Sequence, residues 1–199
     1  MRCRLKWVCL RVQIQRHFGW ACTIALSLAL SSCASPKPPP PQAPAVVQEK
    51  ADRVIIAKLE HKLYLMQGSR VLYVFPIALG QNPREPKHAE GDGRTPEGSY
   101  VIDWRNPNSQ FYLSLHISYP NDADTAWAHA HGMEPGSNIM IHGLPSYANV
   151  GARHVETDWT DGCIAVTNEQ MDIIWRLVDD NTPILILPQW SDSSLAASF

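Results

Sequence analysis

The chain has 199 residues, a formal net charge of -2 and 45% hydrophobic residues. This length and composition predict one globular domain once the first third of the chain is set aside. Nucleic-acid-binding domains typically carry an excess of basic residues, and this chain is close to neutral. Nucleic acid is therefore not an expected partner. Because four of the five cysteines lie in the first 33 residues, the sequence does not encode a disulfide framework.

The N-terminal segment has the pattern of a secretory signal peptide. Residues 1–17 are rich in arginine and lysine, and residues 18–30 are mostly apolar and carry no charge. An apolar stretch of this length is too short for a comfortable membrane span. It ends in Leu30-Ser31-Ser32-Cys33, which looks like a bacterial lipobox, so we expect residues 1–32 to be removed. The alternative is cleavage at a nearby small residue, with Cys33 incidental.

If the lipobox is used, Cys33 becomes a lipidated N-terminus whose acyl chains supply the membrane anchor. Ser35 follows two residues later, and a residue other than Asp there resembles outer-membrane sorting in Gram-negative bacteria. We therefore expect a periplasmic, lipid-anchored protein whose membrane partner is the lipid of the outer membrane. Residues 33–52 form the linker, and proline-rich residues 36–45 predict a semi-rigid polyproline spacer.

Residues 53–188 have the pattern of a mainly β domain. Val54–Ala57 is a short apolar run, and two β-rich runs around Gln67-Gly68-Ser69-Arg70 predict a hairpin. Residues 76–79 are expected to continue its second strand, and residues 83–93 are expected to form a loop. Further strands are predicted in the runs 99–102, 113–118, 137–142 and 184–187, and residues 189–199 are expected to be a flexible tail.

One helix is predicted near the C-terminus. Thr167 and Gln170 have the spacing of a capping box, in which each side chain binds the backbone N–H of the other residue. The apolar residues that follow recur at helical spacing and predict a face that packs on the core. These residues are Met171, Ile174, Trp175 and Val178.

Cys163 is the candidate catalytic residue. It follows an Asp161-Gly162 step, and His142 lies upstream in Ile141-His142-Gly143. Once the leader is removed and Cys33 is acylated, Cys163 is the one free thiol of an oxidising compartment, where cysteines are usually paired. A lone cysteine with a histidine elsewhere in the sequence is a candidate nucleophile and base. The alternative is a small buried hydrophobic residue.

The run from Thr95 to Val166 resembles the L,D-transpeptidase catalytic domain, also called the YkuD type. The matching pieces are Thr95-Pro96-Glu97-Gly98-Ser99-Tyr100, Tyr119-Pro120, Ile141-His142-Gly143 and Thr160-Asp161-Gly162-Cys163-Ile164. The resemblance covers roughly residues 53–188. It implies a mainly β, sandwich-like domain with one or two short helices, and a peptidoglycan substrate.

The resemblance also implies roles for individual residues. Cys163 would attack the carbonyl after meso-diaminopimelate in a stem peptide and form a thioacyl-enzyme. His142 would be the base, held by the backbone carbonyl of Gly143, and the amides of Gly162 and Cys163 would face the oxyanion. Transfer to an amine makes the chain a transpeptidase. The alternatives are a hydrolase of the same family, acting as a carboxypeptidase or releasing wall-linked protein, and an inactive wall-binding lipoprotein.

The sequence departs from the family pattern beside the nucleophile. Many members have histidine where this chain has Asp161, and arginine or asparagine where it has Ala165. A carboxylate near the thiol disfavours the thiolate unless it turns away or pairs with a cation such as Arg153. Asp161 is alternatively suited to bind the diaminopimelate amine. The candidate substrate-binding residues are Asp161, Thr160, Tyr119, Trp159 and Arg153.

A zinc site made by His129, His131, His142 and Cys163 is the metal alternative, because zinc takes such ligands. His129-Ala130-His131 is expected to lie in a loop, and no second close pair of ligands is evident. We therefore expect neither a metal nor another cofactor.

Overall fold

The computed structural model describes residues 49–145 and 151–190. The expected leader, the Cys33 lipidation site, the proline-rich spacer and the tail from residue 191 lie outside these residues. Within the described ranges, no helix is both long and apolar enough to cross a membrane.

The described residues form a mainly β domain, which confirms the predicted fold class. A short 3-10 helix, Gly151–Glu156, accompanies two α-helices. The α-helices are α1 (Asp122–Ala130) and α2 (Asn168–Leu177). The strands are β1 (Arg53–Ala57), β2 (Lys62–Gln67), β3 (Arg70–Pro76), β4 (Gly98–Ser109), β5 (Tyr112–Ile117), β6 (Met140–His142), β7 (Ile164–Ala165) and β8 (Thr182–Leu187).

The strands build one sheet in the order β3-β2-β1-β8-β4-β5-β6-β7. Strand β1 runs parallel to β8, and β6 runs parallel to β7, whereas the other neighbours are antiparallel. The predicted hairpin is β2 and β3, with Gly68 at a positive φ of 55° in its turn. The sandwich-like character arises because this single sheet curls over the core.

The two ends of the sheet meet. Strand β3 ends at Pro76, so the expected continuation through residue 79 is wrong. The chain crosses instead to the other end of the sheet, where Ala78 pairs with Ala165 through two backbone hydrogen bonds of 2.9 and 3.0 Å. Gly80 forms a further bridge with Thr160. These contacts hold the segment that carries Cys163 against the residues that follow β3.

The core lies inside the curled sheet and under α2. The predicted capping box is present, because Thr167 accepts from the Gln170 amide and the Gln170 side chain accepts from the Thr167 amide. Of the predicted apolar face, Met171, Ile174 and Val178 are buried. Trp175 is only partly buried, and the guanidinium of Arg105 lies 4.7 Å from its ring centroid.

Helix α1 was not predicted. Its N-cap is Asn121, whose side chain accepts from the Asp124 amide, while the Asp124 carboxylate accepts from the Asn121 amide. The expected loop at residues 129–131 is therefore wrong, since His129 lies in the last turn of the helix and His131 is its C-cap. The capping signal is present in the sequence, but only Ala128 of the helix is buried, so no apolar stripe marks it.

Candidate active site

A cleft of about 590 Å³ lies where β5, β6 and the segment before β7 meet, under the tip of the β4–β5 hairpin. Five of the predicted site residues line it, namely His142, Trp159, Thr160, Asp161 and Cys163. The other lining residues are mostly polar. They are Asn106, Asn108, Ser109, Gln110, Phe111, Ser114, Asn138 and Met140.

The turn that presents Cys163 requires glycine before it. Gly162 has a φ of 132°, a conformation that side chains rarely adopt, and a Cβ there would lie 2.4 Å from the Arg94 carbonyl oxygen. The Thr160 hydroxyl closes the turn by donating to the Cys163 carbonyl oxygen at 2.7 Å. It also accepts from the Gly162 amide at 3.2 Å. Thr160 therefore shapes the turn rather than offering its hydroxyl to a substrate.

The Gly162 amide donates within this turn in the resting structure, so its expected role as an oxyanion donor stays a prediction. Its N–H points at the Thr160 hydroxyl, and Gly162 is buried. A donor spent on a buried internal hydrogen bond reaches a substrate oxygen only by breaking that bond. For the amide of Cys163 no internal acceptor competes among the backbone hydrogen bonds of the described residues, so it is the readier donor of the two.

The thiol of Cys163 is partly exposed in the cleft. Its sulfur lies 3.6 Å from the Asn138 carbonyl oxygen, a long contact in keeping with a weak donor. Burial raises the pKa of the thiol, and the charge of Asp161 adds to this, while a backbone hydrogen bond from Met140 and the charge of Lys87 oppose it. The resting group at neutral pH is therefore the thiol rather than the thiolate.

His142 is held as a neutral imidazole. It is buried in β6, and its Nδ1 donates to the Gly143 carbonyl oxygen at 2.7 Å. Burial lowers the pKa of His142 to about 4; the hydrogen bond to Gly143 opposes this shift, and the nearby His154 adds to it. Because a carbonyl only accepts, the proton sits on Nδ1 and Nε2 keeps a free lone pair.

Strand register places the thiol and the imidazole on the same face of the sheet. His142 pairs with Ala165, and Ile141 pairs with Ile164. Side chains alternate along a strand, so Cys163 projects to the same side as Ala165 and hence as His142. The two groups are diagonal neighbours that both line the cleft.

A residue that the sequence did not single out holds the base in place. The Asn168 side chain accepts from the Leu144 amide at 2.8 Å, and its oxygen fills the space where a Cβ on Gly143 would lie, at 2.5 Å. Asn168 thus fixes the backbone whose carbonyl orients His142. In the sequence, Asn168 directly follows the N-cap of α2 and is recognisable only as the first residue of a helix. Nothing in that pattern predicts its contact with the Leu144 amide.

Trp159 and Phe111 enclose the imidazole. The centroid of the Phe111 ring lies 4.6 Å from that of His142, and the Trp159 ring approaches edge-on at 5.8 Å. These apolar rings exclude water from the base, which agrees with its lowered pKa. Phe111 lies at the tip of the β4–β5 hairpin, and the sequence did not single it out.

The structure does not bring two of the expected substrate-binding residues into the cleft. Tyr119 is only 2% exposed, and its hydroxyl donates to the Pro135 carbonyl, so it belongs to the core. Arg153 lies on the 3-10 helix and does not line the cleft. Asp161, for which Arg153 was one possible partner, instead accepts from the Gln81 side-chain nitrogen, which lies 3.3 Å from Asp161 Oδ1.

The histidines of the zinc alternative do not converge. His131 stacks on Trp127, with ring centroids 3.8 Å apart, and His88 stacks on Trp127 at 3.9 Å. Among residues 49–145 and 151–190, no group of three or more His, Cys, Asp or Glu is placed to hold a metal ion.

Comparison with known proteins places this chain in a family. Residues 51–186 match the YkuD family, described as the L,D-transpeptidase catalytic domain. The putative L,D-transpeptidase YafK of Escherichia coli K12 is 35% identical over 121 residues, covering 58% of this chain and 42% of that protein. This chain therefore spans less than half the length of that curated relative.

Two solved structures share the fold. The helical cell shape determining protein Pgp2 of Campylobacter jejuni (K307A mutant) superposes with a TM-score of 0.55 at 22% identity, over 72% of this chain and 49% of that chain. Bd1075 of Bdellovibrio bacteriovorus superposes with a TM-score of 0.51 at 23% identity, over 73% and 51%. The family match, which spans more than half of the sequence, identifies this chain as a member of the YkuD L,D-transpeptidase catalytic domain family.

Proposed function

We propose that this chain is a cysteine acyltransferase that acts on the stem peptides of peptidoglycan. The observation that carries the proposal is the pairing in one cleft of a thiol with a neutral imidazole whose Nε2 is free. A neutral imidazole beside a protonated thiol is a base able to accept its proton as the sulfur attacks. Family membership supports the choice of peptidoglycan as the substrate.

The proposed reaction begins when the thiol turns from the Asn138 carbonyl toward His142. The thiol proton moves to Nε2 while sulfur bonds to the carbonyl carbon of diaminopimelate, and the Cys163 amide donates to the oxyanion. One such donor is typically worth about 2.7–4 kcal/mol of barrier. When the tetrahedral adduct collapses, the carbon–nitrogen bond breaks and Nε2–H protonates the leaving amine, which departs as D-alanine.

The resulting thioester is resolved by a second nucleophile. An acceptor amine loses its proton to Nε2, attacks the thioester carbon and forms an amide, and the proton returns to the sulfur of Cys163. Water in place of the amine gives a free tripeptide. Transfer to an amine is the proposed outcome, and hydrolysis is the competing one.

The test is incubation of the protein with tetrapeptide muropeptides, followed by mass spectrometry. We expect an acyl-enzyme on Cys163 and crosslinked products that are lost in Cys163→Ser and His142→Ala. Tripeptide products without crosslinks would assign the chain as a hydrolase. Wall binding without an adduct, either from muropeptides or from a carbapenem, would reject catalysis in favour of a binding role.

We also propose that the chain works in the periplasm, anchored by lipid on Cys33 to the outer membrane. The lipobox-like Leu30-Ser31-Ser32-Cys33 and the proline-rich spacer after it support this. Labelling cells with an alkyne fatty acid should tag the protein. Cys33→Ser should abolish the label and release the protein from the membrane fraction, and retention without label would contradict the anchor.

A further inference from the structure

Trp104, on β4, is a large apolar residue that keeps 41% of its surface exposed to solvent. Its indole stacks on the imidazole of His116, with the ring centroids 4.8 Å apart and an angle of 16° between the ring planes. The imidazole covers one face of the indole, so the exposed area belongs to the other face and to the edges. This surface is available for a ligand to bury.

The indole is presented on a rigid base. His116 is mostly buried, and its Nδ1 donates to the Asp103 carboxylate at 2.6 Å. Ile102 pairs with Ile117 and is buried in the core. A register shift follows it, and Trp104 then pairs with His116, whose side chain lies on the opposite face of the sheet from Ile117. This fixed arrangement lowers the ordering cost of binding.

Strand register places Trp104 in the same row of side chains as the nucleophile. His116 pairs with Met140, which lines the catalytic cleft. Because β6 and β7 run parallel and Ile164 is paired one residue beyond Met140, Cys163 lies level with Met140. The row therefore runs from the thiol through Met140 and His116 to the indole.

The length of this row fits the substrate of the proposed reaction. Three strand spacings of about 4.8 Å separate Cys163 from Trp104, which amounts to about 14 Å. In a stem peptide, the attacked diaminopimelate, two further residues and a lactyl group connect the reacting carbonyl to the amino sugar that carries the stem. At about 3.3–3.6 Å per unit, these units span about 13–14 Å when extended. The sugar therefore reaches the indole while the carbonyl stays at the thiol.

The chemistry of this surface suits a sugar ring. The C–H bonds on one face of a pyranose carry partial positive charge, and the face of an aromatic ring is negative, so the two faces attract each other. The hydroxyl and amide groups of the sugar project from the ring edge. There the exposed Asp103 carboxylate can accept a hydrogen bond from them.

We propose that Trp104, supported by His116 and Asp103, binds the amino-sugar ring to which the stem peptide of the acyl donor is attached. The inference rests on the proposed function, because the distance is measured from the carbonyl that Cys163 attacks. Its consequence is a preference for stem peptides that are still joined to glycan over free stem peptides.

The experiment uses the full chain carrying Cys163→Ala, so that binding is measured without reaction. Two ligands are titrated and followed by NMR: a disaccharide tetrapeptide, and the same tetrapeptide with only a lactyl group at its N-terminus. The two share everything except the sugars. We expect the disaccharide ligand to bind about three- to tenfold more tightly, as one aromatic contact would give. Adding Trp104→Ala should remove this difference.

Two further variants sharpen the result. Trp127→Ala is the matched control, because Trp127 is 38% exposed and also stacks on imidazole rings, but lies on α1 and does not line the cleft. It should preserve the difference between the two ligands. Trp104→Phe keeps an aromatic face and should retain part of the difference. Thermal unfolding of each variant checks that the sheet has kept its fold.

Equal affinity for the two ligands in the Cys163→Ala protein would overturn the inference, as would failure of both to bind. An equal loss for both ligands in Trp104→Ala would also overturn it, because the indole would then contact the peptide or only support the fold. Acylation of unmodified protein by the lactyl tetrapeptide is measured in parallel. An acyl-enzyme without the sugar preference rejects the sugar site alone, and the preference without an acyl-enzyme rejects acyl transfer alone.

Discussion

The protonation state of Cys163 gives the sharpest test of the site, and it needs no substrate. Burial and the charge of Asp161 raise the pKa of the thiol, and burial lowers the pKa of His142 to about 4. Both shifts favour a neutral pair over a thiolate–imidazolium ion pair. With a thiol pKa above the ordinary value of about 8.5, less than about 3% is thiolate at pH 7.

The assay is alkylation by iodoacetamide from pH 5 to pH 10, with the Cys163-bearing peptide quantified by mass spectrometry so that the other cysteines do not contribute. Because only the thiolate reacts, the rate should rise about tenfold per pH unit through neutrality, with no plateau below about pH 8.5. An ion pair would instead give a rate that is nearly flat across this range, more than about thirtyfold faster at pH 7.

A matched pair of variants separates the contribution of Asp161. Asp161→Asn removes a negative charge that raises the thiol pKa, so the alkylation profile should move to lower pH. Asp122→Asn, an exposed aspartate in the first turn of α1, should leave the profile in place. A flat profile from pH 5 to pH 9 in the unmodified protein would refute the neutral pair, and with it the resting state from which the mechanism starts.

Three structural predictions test what holds the site. Gly162→Ala places a side chain at a φ that side chains rarely adopt and against the Arg94 backbone, so it should lower the free energy of unfolding by about 2 kcal/mol or more in urea titrations. The control Gly68→Ala, which has open space around it, should lower it by less. Lys58→Met leaves a carboxylate unpaired and should cost about 3–5 kcal/mol in the same assay, with Lys62→Met on the exposed side of β2 near zero. Asn168→Ala frees the backbone that orients the base; we expect slower acylation by a carbapenem with a loss of stability of only about 1–3 kcal/mol, and an unchanged acylation rate would contradict its positioning role.

Local features of the fold could be predicted from the sequence because their signals are local. The β2–β3 hairpin follows from two β-rich runs around a short glycine turn, and α2 follows from a capping box and a helical apolar stripe. Helix α1 was missed although its cap is equally regular. Its short, mostly exposed segment lacks the apolar periodicity that makes a cap persuasive.

The surroundings of the reactive pair were less predictable, since they depend on contacts between distant residues. Tyr119 was expected in the substrate groove, yet its ring is buried and its hydroxyl is satisfied by a backbone carbonyl. Lys58 gave no sequence signal at all, because lysine is rarely buried. Its three acceptors lie on two segments that are distant from it in the sequence, one carrying Glu85 and the other carrying Thr95 and Glu97. Contacts of this kind join distant segments and leave no periodicity in the sequence.

The same long-range contacts make the position of the nucleophile a property of the closed sheet. A Cβ on Gly80 would lie 3.0 Å from the Gly162 Cα and 2.3 Å from the Gly93 carbonyl oxygen, so three backbone segments meet at the turn before Cys163. The paired hydrogen bonds between Ala78 and Ala165 hold this meeting point from the other side. Since β7 has only two residues, little else within the sheet fixes the thiol relative to His142. Closure of the sheet is therefore both a folding contact and the step that builds the site, and changes that loosen it should impair acylation before they unfold the domain.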